Sequence, residues 1–343
     1  MKILVTGGAG FIGSNIASRG IRLGHEVVVL DNLSRRGSSW NLDWLKSLGN
    51  LEFINVDIRD SSAIQNLFNS QEFEAVIHQA GQVAVTVSVQ DPRADFEINA
   101  LGTLNLLEAI RLSKQNPVFV YASTNKVYGS LSPYKIYERD GQYVFEDLPN
   151  GISETVPLEF YSPYGCSKGS ADQYVLDYRR IFGLKTFVFR QSCIYGPRQM
   201  GVEDQGWVAW FALCAVLGKP ISIFGDGMQV RDVLYIDDLV DLYFSAIETD
   251  LELGSSVFNV GGGNEQAVSL LEVIQLLEEE LRVSIDLEFS EWRPGDQKVY
   301  VSDIGALSGT FNWSPKVKPA SGISSLLKWI SQNLDAIQNT GPE

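Results

Sequence analysis

Only three cysteines, Cys166, Cys193 and Cys214, occur in 343 residues. Three is odd and sparse, which excludes a disulfide framework and fits a reducing compartment. No two of them have Cys-x-x-Cys spacing, and His25 and His78 are the only histidines. The donor set for a zinc site is therefore missing, and no metal is expected. Positive charge is short as well: 27 Lys and Arg against 42 Asp and Glu leave a net charge of −15. Such a chain repels nucleic acid and anionic membrane surfaces, so neither is expected as a partner. Long apolar runs are absent. Met1–Val5 is interrupted by Gly7-Gly8 before it could form the apolar part of a secretory leader, and no run approaches the length of a membrane span. The 31 glycines and 12 prolines follow no period, which excludes a collagen-like or low-complexity chain. The expectation is a soluble, cytoplasmic protein with a small-molecule partner.

Hydrophobic residues make up 45% and charged residues 20% of the chain, ordinary for a packed core, and the length suggests two domains. The first half alternates strand and helix signals. Strands are expected at 2–6, 27–30, 53–56, 75–78, 118–121 and 185–190, and helices at 11–23, 62–69, 96–113 and 164–181. Nearly all-apolar strands in such alternation point to a parallel sheet covered on both faces. Near Gln191 the pattern gives way to Gly/Pro-rich turns and an aromatic segment with Trp207, Trp210 and Phe211. One more buried strand is expected at 257–260, then a helix at 270–281. The mixed stretch 130–160 is long enough to form a lid. The expected division is 1–190 plus about 233–262 as a dinucleotide-binding domain, and about 191–232 plus 263–343 as a smaller, discontinuous C-terminal substrate domain.

Gly7-Gly8-Ala9-Gly10-Phe11-Ile12-Gly13 directly follows the first strand and opens the first helix. In this spacing Gly7 permits a tight turn, Gly10 lets backbone approach a pyrophosphate, and Gly13 allows close helix packing. The helix N-terminus at Phe11-Ile12 would face the anion. Asp31, with Asn32 beside it, ends the second strand, where a carboxylate bonds adenosine ribose hydroxyls and repels a 2′-phosphate. The fold class expected is therefore α/β, a Rossmann-type doubly wound parallel sheet, with NAD rather than NADP as cofactor. Arg35 and Arg36 weaken that preference slightly, and the plain alternative is a glycine turn that serves packing only. Asp57-Ile58 would meet the adenine edge or cap the next turn. Ala80-Gly81 would line the cofactor with backbone. Asn99 would satisfy a backbone group near the cofactor or cap a packing defect. His78 reads as a buried structural imidazole.

Tyr164-Gly165-Cys166-Ser167-Lys168 puts a phenol and an ammonium four residues apart, on one face of a helix. The ammonium would lower the phenol pKa toward working pH, making Tyr164 able to take a proton from a sugar hydroxyl. Ser123-Thr124, ending the fifth strand, offers a hydroxyl for the same substrate oxygen.

These motifs, with Val127-Tyr128-Gly129, Tyr195-Gly196-Pro197-Arg198, Gln229-x-Arg231-Asp232 and Arg293-Pro294-Gly295-Asp296, resemble those of the extended short-chain dehydrogenases/reductases that act on nucleotide sugars. The resemblance covers nearly the whole chain. Residues 80–86, 123–129 and 204–208 are closer to the branch that keeps NAD tightly bound and inverts C2 of a CDP-linked hexose. It implies Thr124 as the hydroxyl residue, with Ser123 in reserve, Tyr164 as base and Lys168 as its activator. It implies a keto sugar formed and reduced again at C2, with no net oxidation. The 4,6-dehydratases of the family carry Asp-Glu where this chain has Asn125-Lys126, and decarboxylating relatives carry Glu at the second position, so both chemistries are disfavoured. A 4-epimerase remains the alternative, and a non-catalytic binding protein is an alternative of another class.

For the substrate, a CDP-hexose by resemblance, Arg231 and Arg293 would grip the diphosphate, or else pair with Asp232 and Asp296. Gln82, Thr86 and Lys126 would touch the sugar. Trp207 would wall the base pocket or pack in the core. Relatives place Asn where Cys193 stands, and a thiol is a poor donor. Cys166 and Cys214 read as buried small apolar residues. Family members assemble as homodimers, sometimes homotetramers; Leu101, Leu104 and the 164–181 helix would supply the apolar face.

Overall fold

The apolar runs of the first half pair side by side in the computed structural model, which describes residues 1–249, 255–293 and 296–340. The strands and helices that position the site are β1 (Lys2–Thr6), α1 (Phe11–Arg22), β2 (Glu26–Leu30), α2 (Ser38–Leu48), β3 (Glu52–Ile54), α3 (Ser61–Ser70), β4 (Ala75–His78), α4 (Gly102–Ser113) and β5 (Val118–Thr124). They continue with α5 (Ser162–Phe182), β6 (Thr186–Gln191), β7 (Cys193–Tyr195), α6 (Trp207–Leu217), β8 (Val230–Tyr235), α7 (Ile236–Glu248), β9 (Val257–Val260), α8 (Leu270–Leu281) and α9 (Pro319–Asn339). Seven strands form one sheet in the order β9-β6-β5-β4-β1-β2-β3, every pair parallel. This is the Rossmann-type doubly wound sheet expected.

Side chains alternate across each strand, and the two core clusters follow that alternation. Ile3, Val5, Val27 and Val29 enter the cluster on one face; Leu4, Val28 and Leu30 enter the cluster on the other. No polar edge interrupts either face, which is why these strands read as continuous apolar runs. Register brings Thr6 level with Leu30 and His78, and Thr124 level with Gln191. The C-terminal strand ends are thus aligned along one rim. The strand order reverses between β4 and β1, where doubly wound sheets bind ligands.

Beyond β6 the chain builds a smaller sheet around β8, which pairs parallel with β7 and with Val299–Tyr300, and antiparallel with Ala267–Ser269. The helix α8 begins with a full capping box, Ser269 with Glu272. No described helix is long and apolar enough to cross a membrane.

Three expectations need correction. The helix expected over 96–113 is interrupted: Glu97–Leu101 is a π-turn between the short helix Pro92–Phe96 and α4. Periodicity over apolar residues does not register one inserted residue. The lid expected at 130–160 is fastened down. Its hairpin, Ile136–Arg139 with Gln142–Phe145, donates Tyr143 N–H to Met228 O at 3.1 Å, and Ile152 N–H bonds Val301 O at 2.7 Å. Cys166 is exposed on α5, and only Cys214 is buried as expected.

Candidate active site

The rim of the sheet encloses a cavity of about 370 Å³. One end is built by the glycine turn. Gly7 has φ +63°, and a Cβ there would come within 2.6 Å of Ala80 N. A Cβ on Gly13 would run into Gly7 O, whereas Gly10 has only Gly7 O near, at 3.2 Å. The turn is thus closed on the protein side and open at Gly10. Gly10 is also the N-cap of α1, with no side chain capping that end. The first N–H groups of the helix remain free for an anion. Phe11 and Ile12 line the same wall.

Asp31 lies at the cavity edge with its carboxylate anchored by Ala9 N–H at 3.0 Å and Leu33 N–H at 2.8 Å. Burial raises its pKa against the pull of those backbone donors. Asn32 donates to Asp57 at 2.9 Å. Asp57 is gripped by Arg59, whose guanidinium holds that carboxyl at about 2. Ile58, Ala80 and Gly81 complete the walls. A glycine cradle, an uncapped helix N-terminus and a fixed carboxylate at the end of β2 fit a dinucleotide. Asn99 lies outside the cavity, but its Oδ1 accepts Gln82 N–H at 2.9 Å. It satisfies backbone beside the cofactor wall, one of the two roles expected for it.

At the other end Ser123, Thr124, Tyr164 and Lys168 line the same cavity. Thr124 stands near enough to Tyr164 to favour its phenolate, yet burial pushes the phenol up to about 12. Lys168 donates to Ala122 O at 2.5 Å and sits 4.3 Å over the Tyr121 ring. Burial brings its ammonium down to about 7, against the pull of Asp172 and Asp95. The expected lowering of the Tyr164 pKa by Lys168 is therefore not present in the protein alone. Desolvation is the largest influence on both groups.

Two buried networks that carried no sequence signal support this end. Ser167 hydrogen-bonds Asp95, and Asn99 reaches both Ser167 and Asp95 at 3.1 Å. Gln82 turns its amide away from the cavity centre, to Ala84 O and Asp95. The second network joins Ser123 to Asp172 at 2.8 Å, and Asp172 to Arg190 at 2.9 and 3.0 Å. Arg190 continues to Tyr128 OH, and Tyr128 to Asn259. Ser123 is thus spent on a structural carboxylate, which leaves Thr124 as the hydroxyl that meets Tyr164. His78 is fully buried between Thr6 and Thr103, with burial holding it near 3.

Thr86, Lys126, Trp207, Arg231 and Arg293 do not line this cavity. Three of the five still meet near its sugar end, around Cys193. Trp207 Nε1 donates to Cys193 Sγ at 3.4 Å. Cys193 is level with Val233, so Arg231 lies two residues back on the same face of β8. Lys126 is close enough to feel both Arg231 and Cys193. Thr86 stands apart on the short helix Val85–Gln90. Arg231 does not pair with Asp232, which is fully buried and bonded by Ser192, Ser302 N–H and Gly263 N–H. Arg293 pairs with Asp204 at 3.0 Å, not with Asp296, and lies 3.6 Å over the Phe224 ring. Pro294 and Gly295 of its motif lie outside the described residues. Sequence reasoning missed Arg198, Gln205 and Met200, which also line the cavity; the first two lie in motifs read for resemblance and assigned no contact, and Met200 lies in none.

Residues 3–261 match the NAD dependent epimerase/dehydratase family. The chain belongs to that family. NAD is accordingly its cofactor, and the dinucleotide fit of the glycine end has its explanation. Among relatives, the chain is 48% identical to CDP-paratose 2-epimerase of Salmonella typhi, over 96% of this chain and 99% of that protein. It is 32% identical to a putative UDP-glucose 4-epimerase of Methanocaldococcus jannaschii, over 96% and 99%. Among solved structures, a Thermus thermophilus UDP-glucose 4-epimerase in complex with NAD superimposes with a TM-score of 0.81 at 33% identity, covering 96% of this chain and 99% of that one. Other family members thus resemble this chain in fold to a degree that leaves their individual reactions to be told apart by residues.

Proposed function

We propose that this family member epimerises a nucleotide-linked hexose at C2, with a CDP-sugar as substrate: CDP-paratose to CDP-tyvelose, or CDP-glucose to CDP-mannose. The observation that carries it is the 48% identity, end to end, with a CDP-paratose 2-epimerase, against 32% with a 4-epimerase. Asn125-Lys126 adds to it. Neither side chain supplies the carboxylic acid that dehydrating relatives use at this point.

Bound NAD supplies a hydride acceptor and donor beside the sugar carbon. Tyr164 acts as the phenolate, its own proton first given up to solvent; it takes the proton of the reacting hydroxyl and later returns it, and Thr124 holds the oxygen in line. Lys168, when protonated, stabilises that phenolate, which a buried phenol at about 12 requires. Inversion needs the keto sugar to present its other face while its nucleotide stays held. Arg231 and Arg293 are assigned to the diphosphate; Arg231 is not paired with Asp232, and Arg293 would exchange its ion pair with Asp204 for the phosphates. Lys126, Gln82, Trp207 and Thr86 are assigned to the sugar and base. Residues 191–232 and 263–343 are assigned to the substrate domain. A homodimer or homotetramer would cover the exposed apolar face of Phe96, Leu101, Ile181 and Phe182.

Proton NMR of CDP-paratose and CDP-glucose incubated with the enzyme tests the reading. A large H2–H3 coupling that collapses with H4 unchanged supports C2 inversion. Change at H4 makes the protein a 4-epimerase. No change with either sugar overturns the CDP-sugar assignment.

A further inference from the structure

Arg198 lines the cavity on the glycine side, and its surroundings are unusual for an arginine. Its guanidinium carbon lies 3.9 Å from the ring centre of Trp44, 4.4 Å from Trp40 and 6.0 Å from Trp329. Trp40 and Trp44 belong to α2, Trp329 to α9. Among the described residues no carboxylate forms an ion pair with it, and its buried Nη1 has no hydrogen-bond partner. Its backbone has φ +74°, a conformation unfavourable for a non-glycine residue that persists only where the surroundings impose it. Burial lowers its pKa to about 10, so it stays charged at neutral pH. In a chain with net charge −15, a partly buried cation without an acid is paired by something else.

Its position says by what. Asn15, in the first turns of α1, donates Nδ2 to Pro197 O at 3.1 Å. That bond ties the residue before Arg198 to the uncapped end of α1. Met200, two residues on, packs on Gly37 at the start of α2. Arg198 is thereby placed in the cavity wall on the side of the free N–H groups of Gly10–Gly13. Two independent sources of positive potential converge there.

We propose that Arg198 is an anchor for the diphosphate of the bound dinucleotide, held in place by a tryptophan cage in place of a carboxylate. The rings fix the guanidinium plane by cation–π contact without neutralising it. A carboxylate in the same place would compete with the phosphates. The anchor rests on the cofactor and not on the substrate, so it stands whichever sugar carbon is inverted.

The test uses the enzyme purified with its NAD. Bound NAD is quantified after acid denaturation, and its exchange with labelled NAD is timed for the wild type, R198M and R198K. Losing a charge-assisted contact should speed exchange by roughly tenfold or more in R198M. R198K should fall between the two. After removal of NAD, R198M should weaken ADP-ribose binding and leave adenosine binding nearly unchanged. Equal exchange rates overturn the proposal, as does equal weakening for adenosine, which would make Arg198 cage packing only. Weakened binding of CDP with unchanged NAD exchange would move the guanidinium to the substrate diphosphate and overturn it too. If R198M does not fold, tryptophan fluorescence of the wild type decides. ADP-ribose should change it and adenosine should not; the same response to both sinks the anchor.

Discussion

At the glycine end of the cavity, the polar groups are chiefly backbone N–H groups from one short stretch, residues 7–13, with one carboxylate at the next strand end and the single side chain of Arg198 beside them. At the tyrosine end they are side chains from β5 and α5, held by buried partners on the 92–101 turns, β6 and β9. The first end needs only local geometry: a positive φ, missing Cβ atoms and a helix left uncapped. The second needs several segments to arrive together, and its charged groups are strongly desolvated. A backbone-built site fails when its shape is filled. A side-chain-built site fails when one charge loses its partner. Variants at each end therefore separate cofactor retention from chemistry.

The largest effect is expected from Tyr164→Phe. It removes the proton acceptor and leaves the ring that packs in the core. Turnover should fall by about 10²–10⁴-fold, with bound NAD retained. Loss of NAD together with activity would mean that the tyrosine end also builds the cofactor site, and the contrast would fail.

Next comes Arg190→Met, which leaves Asp172 as an unpaired charge beside Ser123. Removing one partner of a fully buried pair costs about 3–5 kcal/mol. Denaturant unfolding measures it, and a loss under about 1 kcal/mol would show the pair to be dispensable. Asp31→Ala belongs to the other end. It should weaken NAD by about 10–100-fold, as expected for lost hydrogen bonds to a charged group, with turnover at saturating NAD nearly unchanged. A fall in saturated turnover would contradict a purely binding role.

The same contrast explains what could be read from the sequence. The glycine turn and Asp31 are contiguous or one strand apart, so spacing carries their geometry. Six of the seven strands of the main sheet, all but the edge strand β3, are mostly buried on both faces, so apolar runs located them to within a few residues. Tyr164, Lys168 and Thr124 were legible because helical spacing and a strand end place them. The Asp95-Ser167-Asn99 and Asp172-Arg190-Tyr128 networks were not, because each joins residues dozens of positions apart through side chains with no local pattern. The π-turn at 97–101 escaped for a related reason: it serves Asn99, whose partner is Gln82 backbone. The pKa of Tyr164 was misjudged because spacing shows the neighbouring charge and not the burial that outweighs it.

That outweighing is measurable at Lys168, where the smallest effect is expected. Its pKa is about 7 in the folded protein, lowered chiefly by burial, and about 10.4 in an unfolded chain. Between those values the unfolded chain holds a proton that the folded protein lacks. Stability therefore rises with pH across that window, and the cost of the buried ammonium is complete below pH 7. Lys168→Met removes the cost, together with the Ala122 bond and the Tyr121 ring contact that offset part of it. The net gain should be about 1 kcal/mol at pH 6.5 and should vanish or reverse near pH 10.5, while turnover is lost. Urea unfolding of both proteins across pH 6–10.5 measures it. A stability difference that does not change with pH would mean that Lys168 holds its proton throughout, and that Tyr164 has a fully charged neighbour over the whole range.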